Sequence, residues 1–347
     1  MKKNFPIITK IALILVYLVI VAGAVVRMSG SGMGCPDWPK CFGYYIPPTN
    51  ISELTWEPSH EYLKGQVIIR GEKLFVAQND FVSTENFDEK NWTVYTKHDY
   101  AEFNPTHTWV EYINRLFGAL AGLACLVMAI ASFSFWKKNK KITLLSWLVV
   151  FLMGFQAWLG ATVVYSVLNP VKITIHMVMA LVIVCVILYI LHAATEKISI
   201  KRKFDKVFDS LLIIALILSL TQIILGTQVR QFVDEQVKLL GYNRMAEILQ
   251  DPIIGFYIHR TFSFVILAVN IILISRNRKL QLGYKKINWV LWFLGLEILS
   301  GISMYWYDFP FGSQSIHLVM ASLLFGTQFY LILESKSAEK NTFEEIM

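Results

Sequence analysis

Charge is scarce in this sequence. Asp, Glu, Lys and Arg make up 16% of its 347 residues, against about a quarter in a soluble globular chain. The shortfall excludes an ordinary soluble enzyme, and a mean hydropathy of +0.49 agrees. Cysteine is scarce too, with four in all. Two of them, Cys125 and Cys185, lie deep in apolar runs, so a thiolate zinc centre is the weaker reading of any metal site. The apolar runs also lack the interruptions expected of a transporter with a midplane site. The net charge of +7 is not a nucleic-acid footprint, because its basic residues fall in short loops between apolar runs.

What is present is length without charge. Eight apolar segments, at roughly 7–27, 110–135, 142–165, 171–193, 208–229, 253–275, 287–306 and 314–334, approach the ~20 residues that cross a bilayer core. Backbone groups in lipid must bond internally, so such runs predict helices. Lys2, Lys3 and Lys10 precede the first. Lys137, Lys138, Lys140 and Lys141 follow the second; Lys197, Lys201, Arg202, Lys203 and Lys206 follow the fourth; Arg276, Arg278, Lys279, Lys285 and Lys286 follow the sixth. The positive-inside rule places these loops and both termini in the cytoplasm. The start resembles a secretory signal with "AGA" at 22–24, but an uncleaved helix is preferred because it has a counterpart later in the chain. The loop 28–107 then lies outside, with eleven acidic and six basic side chains. Within it, "KGQVIIRGEKLFVAQ" alternates weakly as strands would, without defining a fold.

The chain repeats itself. "VAGAVVR" (21–27) lines up with "ILGTQVR" (224–230), "EYINRLFGAL" with "FYIHRTFSFV", "FQAWLGA" with "LEILSGI", and "TIHMVMALVI" with "SIHLVMASLL". The order is conserved and equivalent helices share an orientation. The expected fold is therefore an all-α integral membrane protein of eight helices, arranged as two parallel-repeated four-helix bundles. The first covers 1–195 and includes the loop 28–107; the second covers 196–347.

Three histidines, His176, His259 and His317, lie five to seven residues inside the outer ends of their helices, at a depth of about 10 Å. The fourth equivalent position is Asn114. One reading is hydrogen bonding between helices. The sharper one is axial ligation of haem iron, since intramembrane ionisable groups are rare and usually functional. His60, His98 and His107 belong to the outer loop or its edge, and His192 to the cytoplasmic end of the fourth helix.

Arg115 and Arg260 follow the ligand positions, and Arg27 and Arg230 are equivalent at the outer ends of helices one and five. They suit haem propionates, with snorkelling to headgroups as the alternative. Glu111 is one turn before Asn114, and its counterpart is Phe256. It is either the i,i+4 partner of Arg115 or a carboxylate acting beside a substrate. Glu297, equivalent to Gln156, reads as a structural buried polar group. Cys35 and Cys41, in "GSGMGCPDWPKCFG", are expected to form a disulfide on the oxidising face, as a staple or as a thiol–disulfide couple.

Together, the duplicated bundles, the paired histidines, the Glu-Tyr-x-x-Arg start of helix two and the Cys-Pro-Asp-Trp-Pro-x-Cys segment resemble the haem A synthase family. The resemblance implies oxidation of a haem O ring methyl to the formyl of haem A, for cytochrome oxidase biogenesis. It implies haem b held by His259 and His317, with Arg260 and Arg230 nearby. It places substrate haem O with His176, Asn114, Arg115 and Arg27, and makes Glu111 the essential acid. Expected partners are a haem O synthase and a membrane electron donor; a homo-oligomer is compatible with the sequence, and nucleic acid is not expected. The expected location is the bacterial inner membrane.

Two departures stand out. The outer loop exceeds the family's usual length, as a docking module or a lid. Asn114 replaces a histidine, and a carboxamide is a poor iron ligand. That leaves the substrate iron open on the Asn114 side, unless His107, seven residues upstream, folds back. The competing reading is a haem carrier or electron-transfer cytochrome whose first site is degenerate.

Overall fold

The structure, a computed structural model, describes residues 2–195 and 202–346. Lys197 and Lys201 of the basic loop lie outside the described residues. Eight long helices follow the apolar runs: α1 (Phe5–Met28), α2 (Pro105–Ser132), α3 (Lys140–Tyr165), α4 (Pro170–Ala194), α5 (Lys206–Leu240), α6 (Ile254–Lys279), α7 (Ile287–Trp306) and α8 (Ser313–Ile346). All eight are long and apolar enough to cross a membrane. Their starts are written in the sequence. Asn104 and Asn169 each precede a proline, and their side chains accept from the free N–H groups of His107 and of Val171 and Lys172. Asp205 caps α5 in the same way through Phe208.

Two apolar interiors result. Phe5, Ala12 and Val16 of α1 pack with Cys125 and Met128 of α2, Val149 of α3 and Ile187 of α4. Phe208, Leu212 and Ala215 of α5 pack with Ile266 and Leu273 of α6, Val290 of α7 and Leu331 of α8. A smaller cluster of Leu181, Ile223 and Phe325 joins α4, α5 and α8. Between α1 and α8 the approach is close. A Cβ on Gly326 would stand 2.3 Å from the Tyr17 hydroxyl. Large apolar side chains such as Phe151, Trp292 and Leu299 point outward, as a lipid-facing surface permits.

The segment between α1 and α2 folds as a small β unit. Strands β2 (Val67–Arg70), β3 (Lys73–Ala77) and β5 (Trp92–Val94) form an antiparallel sheet in the order β2-β3-β5. Strands β1 (Glu61–Tyr62) and β4 (Phe81–Val82) pair separately. Gly71 and Glu72, with φ of 55° and 59°, make the two-residue β2–β3 hairpin turn. Alternation is weak here because both faces are apolar. Val67 and Leu74 pack with Cys35, Cys41, Phe42 and Tyr112 of α2. Ile68 packs with Tyr62, Phe75 and Trp92 on the other side.

Candidate functional site

Four helix pairs repeat one local device. A glycine on the odd-numbered helix faces the histidine or asparagine of the next. A Cβ on Gly160 would lie 3.4 Å from Cε1 of His176, and one on Gly23 would lie 3.9 Å from Oδ1 of Asn114. A Cβ on Gly226 would lie 3.1 Å from Cε1 of His259, and one on Gly301 would lie 3.6 Å from Cε1 of His317. The missing side chain leaves room for the imidazole. One turn earlier on the same helix, Gln156 donates to the His176 carbonyl at 2.9 Å, and Gln222 donates to the His259 carbonyl at 2.9 Å.

His259 and His317 face each other. Their ring centroids are 6.2 Å apart and the planes cross at 66°. His317 Nδ1 lies 3.0 Å from the Glu297 carbonyl and 3.0 Å from Ser300 Oγ. A carbonyl only accepts, so Nδ1 carries the proton and Nε2 of the neutral ring keeps its lone pair. The Glu297 carboxylate lies 3.8 Å from that Nε2. It therefore stands beside the second histidine pair, a place the sequence did not give it.

The other site is open. A cavity of 2110 Å³ runs from the first four helices to the outer part of α5 and the start of α8, with Gly23, Asn114, Gln156, Gly160 and His176 in its wall. It far exceeds the roughly 300–1,000 Å³ of ordinary small-molecule pockets. Towards its mouth come Glu111, Arg115, Arg27 and His107, then Trp38, Tyr45, Tyr100 and Phe103 of the outer segment. The outer segment thus forms part of the cavity wall. His107 sits in the first turns of α2, about 10 Å along the axis from Asn114. It is at the mouth and does not fold back. Buried polar atoms of both sites find no hydrogen-bond partner among the described residues: Asn114 Oδ1, Gln156 Oε1 and His176 Nδ1 in one, and His259 Nδ1, Gln222 Oε1 and Glu297 Oε1 in the other. Buried polar groups are normally paired, so these atoms keep capacity for a further hydrogen bond or ligand.

Glu111 is 4% exposed. Its Oε1 takes the Arg115 guanidinium at 2.5 Å and its Oε2 takes the Cys35 N–H at 2.8 Å. Arg115 also donates to the carbonyls of Asp37 and Lys40 at 2.8 Å and to that of Cys35 at 3.1 Å. The two residues therefore dock the loop closed by the Cys35–Cys41 disulfide. Gly34 allows the approach, since a Cβ there would meet the His107 carbonyl oxygen at 2.4 Å. Burial pushes the Asp37 carboxyl above its ordinary range, against the N–H groups of Gly43 and Phe42 and the Arg115 charge that favour its ionised form. Arg260 is exposed and lies over the rings of Tyr257 and Phe256, at 5.3 and 5.9 Å. Arg27 and Arg230 both line the large cavity.

The sequence reading missed the four glycines, Gln222 and Asp234. The glycines and Gln222 were within reach, because "LGA", "SGI", "AGA" and "QIILG" already stood in or beside the aligned segments. Asp234 has no counterpart in the first half to draw attention.

Fold and site define a multi-pass helical membrane protein with inward-facing histidines on alternate helices. The chain belongs to the cytochrome oxidase assembly protein family, whose model matches residues 7–329. It is 23% identical over 351 residues to a heme A synthase of Flavobacterium johnsoniae, covering 92% of this chain and 94% of that one. To the heme A synthase of Alkalihalophilus pseudofirmus it is 23% identical, over 96% of this chain and 98% of the other. With that of Shewanella oneidensis it shares 27% identity over 168 residues, 48% of this chain but only 39% of the relative.

Proposed function

We propose that this protein is a haem A synthase of the bacterial inner membrane, oxidising a ring methyl of haem O to the formyl of haem A. The observation that carries this is the asymmetry of the two sites. One is a spacious cavity with a single histidine and a buried carboxylate in its wall; the other is a pair of neighbouring imidazoles.

The second site suits haem b between His259 and His317. Two metal–imidazole bonds of about 2 Å each, plus about 1 Å from each nitrogen to its ring centre, add to roughly 6 Å, close to the 6.2 Å observed. Haem iron needs only these two ligands from the protein. The Glu297 carbonyl fixes the His317 tautomer, as partners of ligating histidines usually do. Bound there, haem b supplies one-electron redox chemistry for electrons moving to or from a membrane donor.

In the first site His176, on α4, would hold the iron of haem O. Asn114 lines the same cavity from α2 and offers a carboxamide oxygen, which would be only a weak ligand to that iron. The cavity's size leaves room for the substrate's isoprenoid tail. Glu111 stands one turn outward of Asn114. It places a carboxylate beside the ring, where C–H oxidation releases protons, and holds the Cys35–Cys41 loop as part of the cavity wall. Arg115 is committed to that loop, and Arg260 to aromatic rings at the helix end. The recurring glycine–ligand pairs support a duplicated architecture of 1–195 and 196–347. The basic loops at one end support cytoplasmic termini and an outer segment 28–107. Haem O synthase is the natural supplier of the substrate.

Co-expression with a haem O synthase, followed by extraction and chromatography of the haems, tests this reading. Haem A is expected. Haem O or haem b alone, from a well-folded preparation, overturns it in favour of a haem carrier.

A further inference from the structure

Arg27 and Arg230 occupy corresponding positions, each four residues beyond a cradle glycine, Gly23 and Gly226. If each served its own bundle, they would face different sites. They do not. Both line the same large cavity, which reaches from the first four helices to the outer part of α5 and whose wall includes His176 but neither His259 nor His317. Between them lies Asp234, on the stretch of α5 that continues outward past the apolar run. Its Oδ1 is 2.6 Å from Arg230 Nη2. Its Oδ2 accepts from both Nε and Nη2 of Arg27, each at 3.4 Å. Arg230 is aimed by two further contacts, donating to the Gln314 side chain of α8 and, at 3.0 Å, to the Arg27 carbonyl. The side chains of Arg27, Arg230 and Asp234 are 20%, 18% and 33% exposed, so they can be reached from the cavity.

We propose that Arg27 and Arg230 form one carboxylate-binding subsite for the substrate, built by both bundles, and that Asp234 is a placeholder displaced when the substrate enters. The inference rests on the haem O reading of the cavity and assigns Arg230 to the substrate rather than to the haem b site.

Three observations support it. First, one carboxylate is shared: Asp234 contacts both guanidiniums. Of the other acids in the cavity wall, Glu111 is taken by Arg115, Glu235 accepts from Gln231 at 2.7 Å and Glu102 accepts from Tyr100 at 3.2 Å. Second, the bonds to Arg27 are long. Charge-assisted N–H···O bonds run at about 2.7–2.9 Å, so the 3.4 Å contacts leave Arg27 short of a full partner. Third, the level is right. Four residues place the arginine Cα about 6 Å outward of the glycines that mark the ligand plane. A macrocycle standing edge-on, ligated by His176, would turn its two propionates towards that end.

The test uses the purified protein with its resident haem, titrated with ferric haem b or its dimethyl ester and followed by absorbance. Haem b has the same two propionates as haem O, and the ester masks them. Wild type and His176→Ala first define the binding that depends on His176. The subsite predicts that Asp234→Asn tightens binding of the free acid about tenfold, because no resident carboxylate competes. Arg27→Gln and Arg230→Gln weaken it by about as much, and ester binding does not change in any of the three. The resident haem spectrum and the ester titration serve as folding controls. If His176-dependent binding persists but acid and ester respond alike, or Asp234→Asn weakens the acid, the subsite is wrong while the haem reading stands. If neither form binds in a His176-dependent way, both fall.

Discussion

Gly226→Ala is the smallest change that should disturb the haem b site, and its size follows from the structure. The added Cβ would sit 3.1 Å from Cε1 of His259, 3.7 Å from Nδ1 and 3.8 Å from Nε2, over the ring. The ring must move by a few tenths of an ångström. Forcing extra atoms into a packed interior costs about 1–3 kcal/mol. Alanine in place of a helical glycine gains about 1 kcal/mol, so overall stability changes little and haem affinity takes the loss. Gly301→Ala is the internal control. Its Cβ would meet His317 at 3.6 Å, an ordinary contact, with the same helix gain. Purified variants should be compared by haem-to-protein ratio and by the rate of haem loss to an apoprotein acceptor. We expect Gly226→Ala to hold haem about tenfold more weakly, near 1.4 kcal/mol, and Gly301→Ala to match wild type. Equal losses from the two, or the reverse order, would refute the cradle argument.

Other outcomes follow from the same geometry. His259→Ala or His317→Ala should each abolish the resident haem's low-spin spectrum, whereas His176→Ala should leave it intact. Gly34→Ala would drive a methyl into the His107 carbonyl oxygen; limited proteolysis should show the outer segment released from α2. Arg115→Lys removes the fork that serves three carbonyls and Glu111, so Cys35 and Cys41 should be alkylated faster under mild reductant than in wild type. Replacing both cysteines with serine should cost about 2 kcal/mol from the short closed loop, read as a lower Tm that no longer responds to reductant.

The helices were legible because length without charge leaves little alternative in lipid, and the ends agree to within a few residues except at α5 and at the end of α8, which runs on to Ile346. In α5 the apolar run stops near 229, but the helix continues to Leu240. "RQFVDEQVKLL" is polar enough to look like a loop, yet Val233 is buried against the rest of the protein. That extension carries Asp234, so the feature that joins the bundles was hidden with it. The histidines could be read from matching depth in repeated segments. Their glycine partners carry no side chain to attract notice, and only the three-dimensional pairing of α5 with α6 and of α7 with α8 shows their use. Glu111 was ambiguous in sequence between pairing with Arg115 and serving a substrate. The structure shows the pairing and sets it in the cavity wall, so the two readings are not exclusive. The β unit was obscure because apolar residues on both faces of β2 and β3 blur a period of two.

The central claim is that the two haem sites are separate, with His176 serving the one where haem O reacts. The most direct measurement is the haem content of wild type, His176→Ala and His259→Ala, each co-expressed with a haem O synthase, extracted, and quantified by mass spectrometry per mole of protein. The account predicts haem A and haem b from wild type, haem b at unchanged stoichiometry without haem A from His176→Ala, and loss of haem b from His259→Ala. Undiminished haem A from His176→Ala, or loss of haem b there with retention in His259→Ala, would contradict it.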